Sequence, residues 1–231
     1  MAFNPNNYKA PTAKKLPVIL LLDVSGSMSG EKINTLYDSV VEMVDSFVAA
    51  QVKETIIDVS IITFGSNVSL HTPYTSVIDL QKAGISKFRA DGMTPMGTAL
   101  TMAKDMIDDK DTTPSNIYRP AVVLVSDGQP NDSWQRPLDK FIKDGRSSKC
   151  QRFAIAIGTD ADRNVLEKFT GDSANVFFAE DAADVTECFQ KFTMSVSTRA
   201  TSQNPNAVPV PGKASFDNNT YQDTDDDEEY I

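Results

Sequence analysis

Three short polar stretches interrupt the apolar parts of this chain, and each carries side-chain oxygen. In VILLLDVSGSMSG (residues 18–30) an apolar run ends on Asp23, with Ser25 and Ser27 close behind. In DGMTPMG, Thr94 lies between Gly92 and Pro95, and in VSDGQPND a second apolar run ends on Asp127. Two carboxylates and three hydroxyls, with no His, Cys or Lys among them, make a hard-oxygen donor set. Such a set selects Mg²⁺, Mn²⁺ or, less readily, Ca²⁺ over Zn²⁺ or Cu²⁺. Hydroxyls are neutral donors, so an ion held this way keeps much of its positive charge. Mg²⁺ also usually retains waters, which leaves a position for an outside oxygen, best of all the carboxylate of a partner protein. Taken alone, Asp23, Ser25 and Ser27 read as well as a turn and helix cap, a common use of Asp and Ser. The addition of Thr94 and Asp127 at loop positions favours the ion.

These side chains need a rigid frame. Residues 16–22 (LPVILLL) and 120–126 (PAVVLVS) are apolar on both faces, as central strands of a parallel sheet covered by helices are. Further strands are expected at 55–64, at VSLHTPY as an antiparallel edge after the turn Gly65-Ser66-Asn67, at 152–157 and at 175–178. Helical spacing marks 31–50, and helices are also expected over 76–89, 97–109, about 135–145, 161–170 and about 182–198. Strands alternating with helices predict a doubly wound α/β sandwich. Its central sheet has six strands, mostly parallel, with helices on both faces. In such sheets ligands bind beyond the carboxyl ends of the strands, near a topological switch point. If the strands ending on Asp23 and Asp127 are neighbours, both carboxylates face one crevice.

Composition narrows the function classes. The formal net charge of −10 argues against sequence-independent binding to nucleic acid or to an anionic membrane face. Residues 201–231 hold seven acids and one base, so that segment accounts for −6 and residues 1–200 for −4. The expected organisation is a flexible lead at 1–15, one domain at 16–198 and a disordered acidic tail at 199–231, too poor in large apolar groups to offset its ordering entropy. The two cysteines, Cys150 and Cys188, have no metal-binding spacing and read as reduced core residues. No secretory signal opens the chain, and Leu16–Val24 is too short to span a bilayer, so the expectation is a cytoplasmic protein.

Asp23-Val24-Ser25-Gly26-Ser27, Thr94 and Asp127-Gly128, in that order, resemble the von Willebrand factor type A (vWA) domain and its metal-ion-dependent adhesion site. The resemblance covers about residues 14–198 and implies a Rossmann-like vWA sandwich. It implies that Ser25, Ser27 and Thr94 bind the ion directly, and that Asp23 and Asp127 act directly or through water. It also implies that an acidic side chain of a partner completes the shell, and that changes in coordination can move the last helix. Within the family, YRPAVVLVSDGQPNDSW and FAIAIGTDADRNVLEKFTG are similar to TerY-like bacterial single-domain proteins associated with tellurium resistance and stress response. That narrower likeness implies a protein phosphatase or kinase as partner.

Four more residues are candidates for a partner-binding rim. Met28, Met93 and Met96 lie in or beside the oxygen-rich loops, and methionine adapts to irregular surfaces; either at least two of them form an exposed apolar rim, the reading taken here, or they pack beneath the loops. Trp134 is either an anchor at the crevice or a core residue. His71, the single histidine, reads as a solvated edge-strand residue, and the acidic tail as a solvating extension or a ligand supplied in cis. Against a non-enzymatic binding module stand two alternatives: a metal-assisted phosphoryl-transfer or hydrolytic enzyme using Asp23, and a scaffold with a vestigial ion. The sequence lends catalysis little, since it has no Walker or GxGxxG phosphate loop and no nucleophile elbow.

Overall fold

The long apolar runs form the middle of one sheet. In the computed structural model, residues 13–50 and 55–207 are described. Six strands order as β3-β2-β1-β4-β5-β6. These are β1 (Lys14–Asp23), β2 (Thr55–Phe64), β3 (Val68–Ser76), β4 (Ala121–Ser126), β5 (Gln151–Ile157) and β6 (Val176–Ala179). All pairings are parallel except β2 with β3, so the antiparallel strand is at the edge. Parallel neighbours need crossover connections, which run through α1 (Glu31–Ala50), α2 (Val77–Ala83), α3 (Met96–Asp108), α4 (Gln135–Lys143) and α5 (Arg163–Thr170), while α6 (Ala182–Thr201) follows the last strand.

Because side chains alternate along a strand, β1 feeds two cores. Leu16, Val18, Leu20 and Leu22 meet α1, α2 and α6 on one face, while Ile19 and Leu21 meet α3, α4 and α5 on the other. The chain winds from β1 to β2 in one direction and later returns to β4 on the other side of β1. That reversal puts the switch point between β1 and β4. Leu22 pairs with Val125, so the next residues, Asp23 and Ser126, leave the sheet side by side.

Several boundaries differ from expectation for local reasons. β1 starts at Lys14, since Lys14 and Lys15 pair with Thr55 and Ile56, and the lead thus ends sooner than residue 15. α2 stops at Ala83, where Gly84 takes φ 73° and ends the helix in a backbone conformation other residues avoid. α6 runs on to Thr201, and the chain remains packed after it. The buried Arg199 guanidinium donates to the carbonyls of Pro205 and Arg119 and to Gln151 Oε1 (3.2 Å), and Arg119 N–H donates to Asn206 Oδ1 at 2.9 Å. The packed body therefore reaches beyond the expected boundary at 198, because a buried arginine gathers the following turn; the acidic stretch from 208 lies outside the described residues. Among the described residues no helix is long and apolar enough to cross a membrane.

Both cysteines are free and buried. Burial pushes the Cys150 thiol up to about 12 and the Cys188 thiol up to about 11. The thiolate is the reactive form, so at pH 8 a thiol-specific reagent should leave both unmodified until denaturant is added, as mass spectrometry would report. Phe192 is fully buried and packs edge-on against Phe153 at 5.3 Å between ring centres. Phe192→Ala should lower stability by about 3–5 kcal/mol in urea unfolding.

Candidate functional site

Three loops meet over the switch point, and the one before α3 is tied through backbone to each of the other two. Gly26 N–H donates to Gly92 O (3.0 Å) and Asp91 N–H to Val24 O (2.8 Å), which joins the loop after β1 to the loop before α3. Gly92 has φ 79°, and a Cβ there would lie 2.4 Å from Ser66 Cα, so neither the turn nor the close approach tolerates a side chain. Asn131 N–H donates to Thr94 O (3.1 Å), and Thr94 N–H donates back to Asn131 Oδ1 (3.0 Å), fixing Thr94 against the loop after β4. Asp132 adds a second clamp. Pro95 gives the first turn of α3 no side-chain cap, and Asp132 supplies one from the other loop. Its Oδ1 accepts from Gly97 N–H (2.9 Å), and its Oδ2 accepts from Thr98 N–H (2.8 Å) and the Thr98 hydroxyl (3.0 Å).

Inside this frame four of the five expected donors form a hydrogen-bonded chain. Ser25 Oγ and Ser27 Oγ are 2.9 Å apart, and the Ser27 hydroxyl donates to Asp127 Oδ1 at 2.7 Å. Asp23 accepts from Ser25 N–H (2.9 Å) on Oδ1 and from the Ser126 hydroxyl (2.7 Å) on Oδ2. Thr94 is not part of that hydrogen-bonded chain; its Oγ1 would lie 3.9 Å from a Cβ built on Gly128, the residue after Asp127. Asp23, Ser25, Thr94 and Asp127 are all buried. Burial pushes the Asp23 carboxyl up, against the hydrogen bonds from Ser126 and Ser25, and the neighbouring Asp127 charge adds to the rise. One cation already answers the pair: Lys32 Nζ, from the first turn of α1, lies 2.6 Å from Asp127 Oδ2.

Two buried carboxylates so close to three hydroxyls fit a divalent ion, since an added positive charge relieves what burial imposes on Asp23. Among the described residues no group of three or more His, Cys, Asp and Glu converges, so an ion at these loops would depend on the serine and threonine hydroxyls. A polar cleft of about 550 Å³, lined by Gly128, Gln129, Asp160, Asp162, Arg163 and Asn164 among others, opens beside Asp127.

The expected methionine rim is corrected. Met28 and Met96 are 0% and 1% exposed, and only Met93, at 63%, faces solvent. Met28 ends a short 3₁₀ turn (Gly26–Met28) that swings it inward onto the α1 core, and Met96 opens the buried stripe of α3 with Ala99, Leu100 and Ala103. Trp134 is half-buried and packs against the α3–α4 core, which answers its alternatives in favour of packing. His71 is half-buried on β3, edge-on to Phe88 at 5.1 Å, rather than fully solvated. Lys32, Ser126, Asn131 and Asp132 were not among the expected site residues. Ser126 stands directly before Asp127, and Asn131-Asp132 follow it in the same polar stretch.

The sequence pattern described as von Willebrand factor type A domain matches residues 18–191. The chain belongs to this family. Curated relatives include inter-alpha-trypsin inhibitor heavy chain H2 of Sus scrofa (24% identical over 197 residues, 78% of this chain) and heavy chain H4 of Homo sapiens (22% over 223 residues, 87% of this chain). The matches span 20% and 23% of those proteins' own lengths. Among solved structures, proximal thread matrix protein 1 from the mussel byssus, described with a zinc-occupied MIDAS motif, aligns with a TM-score of 0.65 at 20% identity, over 79% of this chain and 48% of its own. A von Willebrand factor type A protein from Catenulispora acidiphila aligns at 0.59 and 20% identity, covering 79% and 42%. At these identities the structural likeness shows the fold, here the six-stranded vWA sandwich with one antiparallel edge.

The Asp132 cap yields a direct check. Asp132→Ala should cost about 1–2 kcal/mol in urea unfolding, the worth of a helix cap, and Asp132→Asn, which keeps an acceptor, should recover part of it.

Proposed function

We propose that this vWA domain is a non-enzymatic, divalent-metal-dependent protein-binding module. Asp23, Ser25, Ser27, Thr94 and Asp127 would hold Mg²⁺ or Mn²⁺, with Ca²⁺ a poorer fit. The observation that carries this reading is the hydrogen-bonded chain of Asp23, Ser25, Ser27 and Asp127 at one switch point, with Thr94 fixed in the loop alongside. An ion bound there supplies a positive charge with an open coordination position, and an acidic side chain of the partner is the ligand of matching charge. The loops supply the rest. Ser126 and the Ser25 N–H orient Asp23, Asn131 positions Thr94, and the ties between loops keep the donors from separating when no partner is present. The zinc described in the mussel protein's site supports divalent occupancy of such loops, while the all-oxygen set here favours harder ions.

The non-catalytic reading is supported by what touches the two carboxylates: hydroxyls, one backbone N–H and a lysine ammonium. None is a general base near neutral pH, and His71 is engaged with Phe88 on the far edge strand. The partner class rests on the TerY-like stretches alone, which favour a protein phosphatase or kinase in a cytoplasmic stress-response complex.

Isothermal titration should show Mg²⁺ and Mn²⁺ binding to the wild type and none to Asp23→Ala, whose circular dichroism should match the wild type. Capture of a protein partner should require a divalent ion, vanish in chelator and fail with Asp23→Ala. Metal binding that survives Asp23→Ala, or capture that persists in chelator, would overturn the proposal.

A further inference from the structure

The geometry points to Lys32 as a built-in charge regulator of the metal site: its ammonium weakens divalent-ion binding and holds Asp127 in place when no ion is bound. This rests on the metal reading above and deepens it.

Lys32 follows the metal loop directly, in the first turn of α1. A lysine there runs against the usual preference for acids at a helix N-terminus, so its position calls for a compensating contact. That contact is Asp127 Oδ2 at 2.6 Å. The two ends of the pair differ sharply in environment, as the Asp127 side chain is fully buried and that of Lys32 is 41% exposed. The ammonium also passes the end of β5, where a Cβ on Gly158 would lie 3.9 Å from Nζ. Acids are available on its other side, since Glu31, Glu180 and Asp181 share with Lys32 a cleft of about 460 Å³. Asp181 is occupied as the cap of α6, accepting from Asp184 N–H at 2.9 Å. The hydrogen bond of Lys32 goes inward, to the carboxylate of the site.

The two oxygens of Asp127 divide the work. Oδ1 takes the Ser27 hydroxyl and so faces the donor cluster, while Oδ2 faces Lys32. An ion among the donors therefore need not displace the ammonium. The two charges stay close and repel, which costs ion affinity. The same addition alters the net charge. Two carboxylates and a divalent ion alone would be neutral; with Lys32 the loaded site carries one positive charge, which one partner carboxylate cancels. A lysine ammonium is compact and fully charged but cannot itself ligate a metal, so it tunes the site without entering the shell.

The test compares wild type, Lys32→Met and Lys32→Arg by isothermal titration with Mn²⁺ alone and by thermal melting in chelator. Lys32→Met should bind Mn²⁺ about tenfold more tightly, about 1.4 kcal/mol, and melt a few degrees lower in chelator, with a larger rise on adding Mn²⁺. Lys32→Arg should stay close to wild type in both. A merely structural ion pair predicts the opposite sign, with Mn²⁺ binding weakened by Lys32→Met as Asp127 loses its anchor. Weakened or unchanged Mn²⁺ affinity in Lys32→Met overturns the charge-regulator role alone, and unchanged melting in chelator overturns the holding role. Absence of Mn²⁺ binding to wild type overturns the metal reading and this inference together.

Discussion

Two carboxylates that share one buried corner repel each other and lose their hydration, and the fold must answer both costs. Asp23 and Asp127 leave adjacent parallel strands within a residue of the same level. Much of the surrounding loop structure is that answer. Hydroxyls of Ser27 and Ser126, the Ser25 N–H and the Lys32 ammonium are each directed at a carboxylate oxygen. Buried charges persist in proteins when paired and hydrogen-bonded, and here one lysine ammonium faces two carboxylates.

The frame that keeps the repelling groups together is mostly main chain. Bonds from Gly26 to Gly92, from Asp91 to Val24 and between Thr94 and Asn131 link three loops that are distant in sequence. Asp132 caps a helix it does not belong to and so makes the position of α3 depend on the loop after β4. Hydrophobic burial on both faces of the sheet sets the strands, and the strands set the loops; side-chain chemistry at the top inherits its precision from that order.

The sheet was legible in the sequence because uninterrupted apolar runs such as VILLL admit few alternatives once polar punctuation follows them. Asp23, Ser25, Ser27 and Asp127, which hydrogen bonds join, stood out because Asp and Ser at a strand's carboxyl end serve no burial purpose. Lys32, Asn131 and Asp132 were hidden, since their meaning lies in contacts across 95, 37 and 35 residues of chain. Met28 and Met96 were misread by adjacency. Met96 carried a usable signal, for it continues the helical spacing of Ala99, Leu100 and Ala103, whereas the inward swing of Met28 depends on a 3₁₀ turn that the glycine-rich stretch does not announce.

Arg199 fastens the end of α6 beneath the sheet, beside the starts of β4 and β5, and β1 enters from that same side at Lys14. With α6 about 30 Å long at 1.5 Å per residue, both flanks of the packed body lie a domain-length from the loops that carry Asp23 and Asp127. Chain added at either flank thus leaves from the pole opposite those loops, as a cable leaves a plug opposite its prongs.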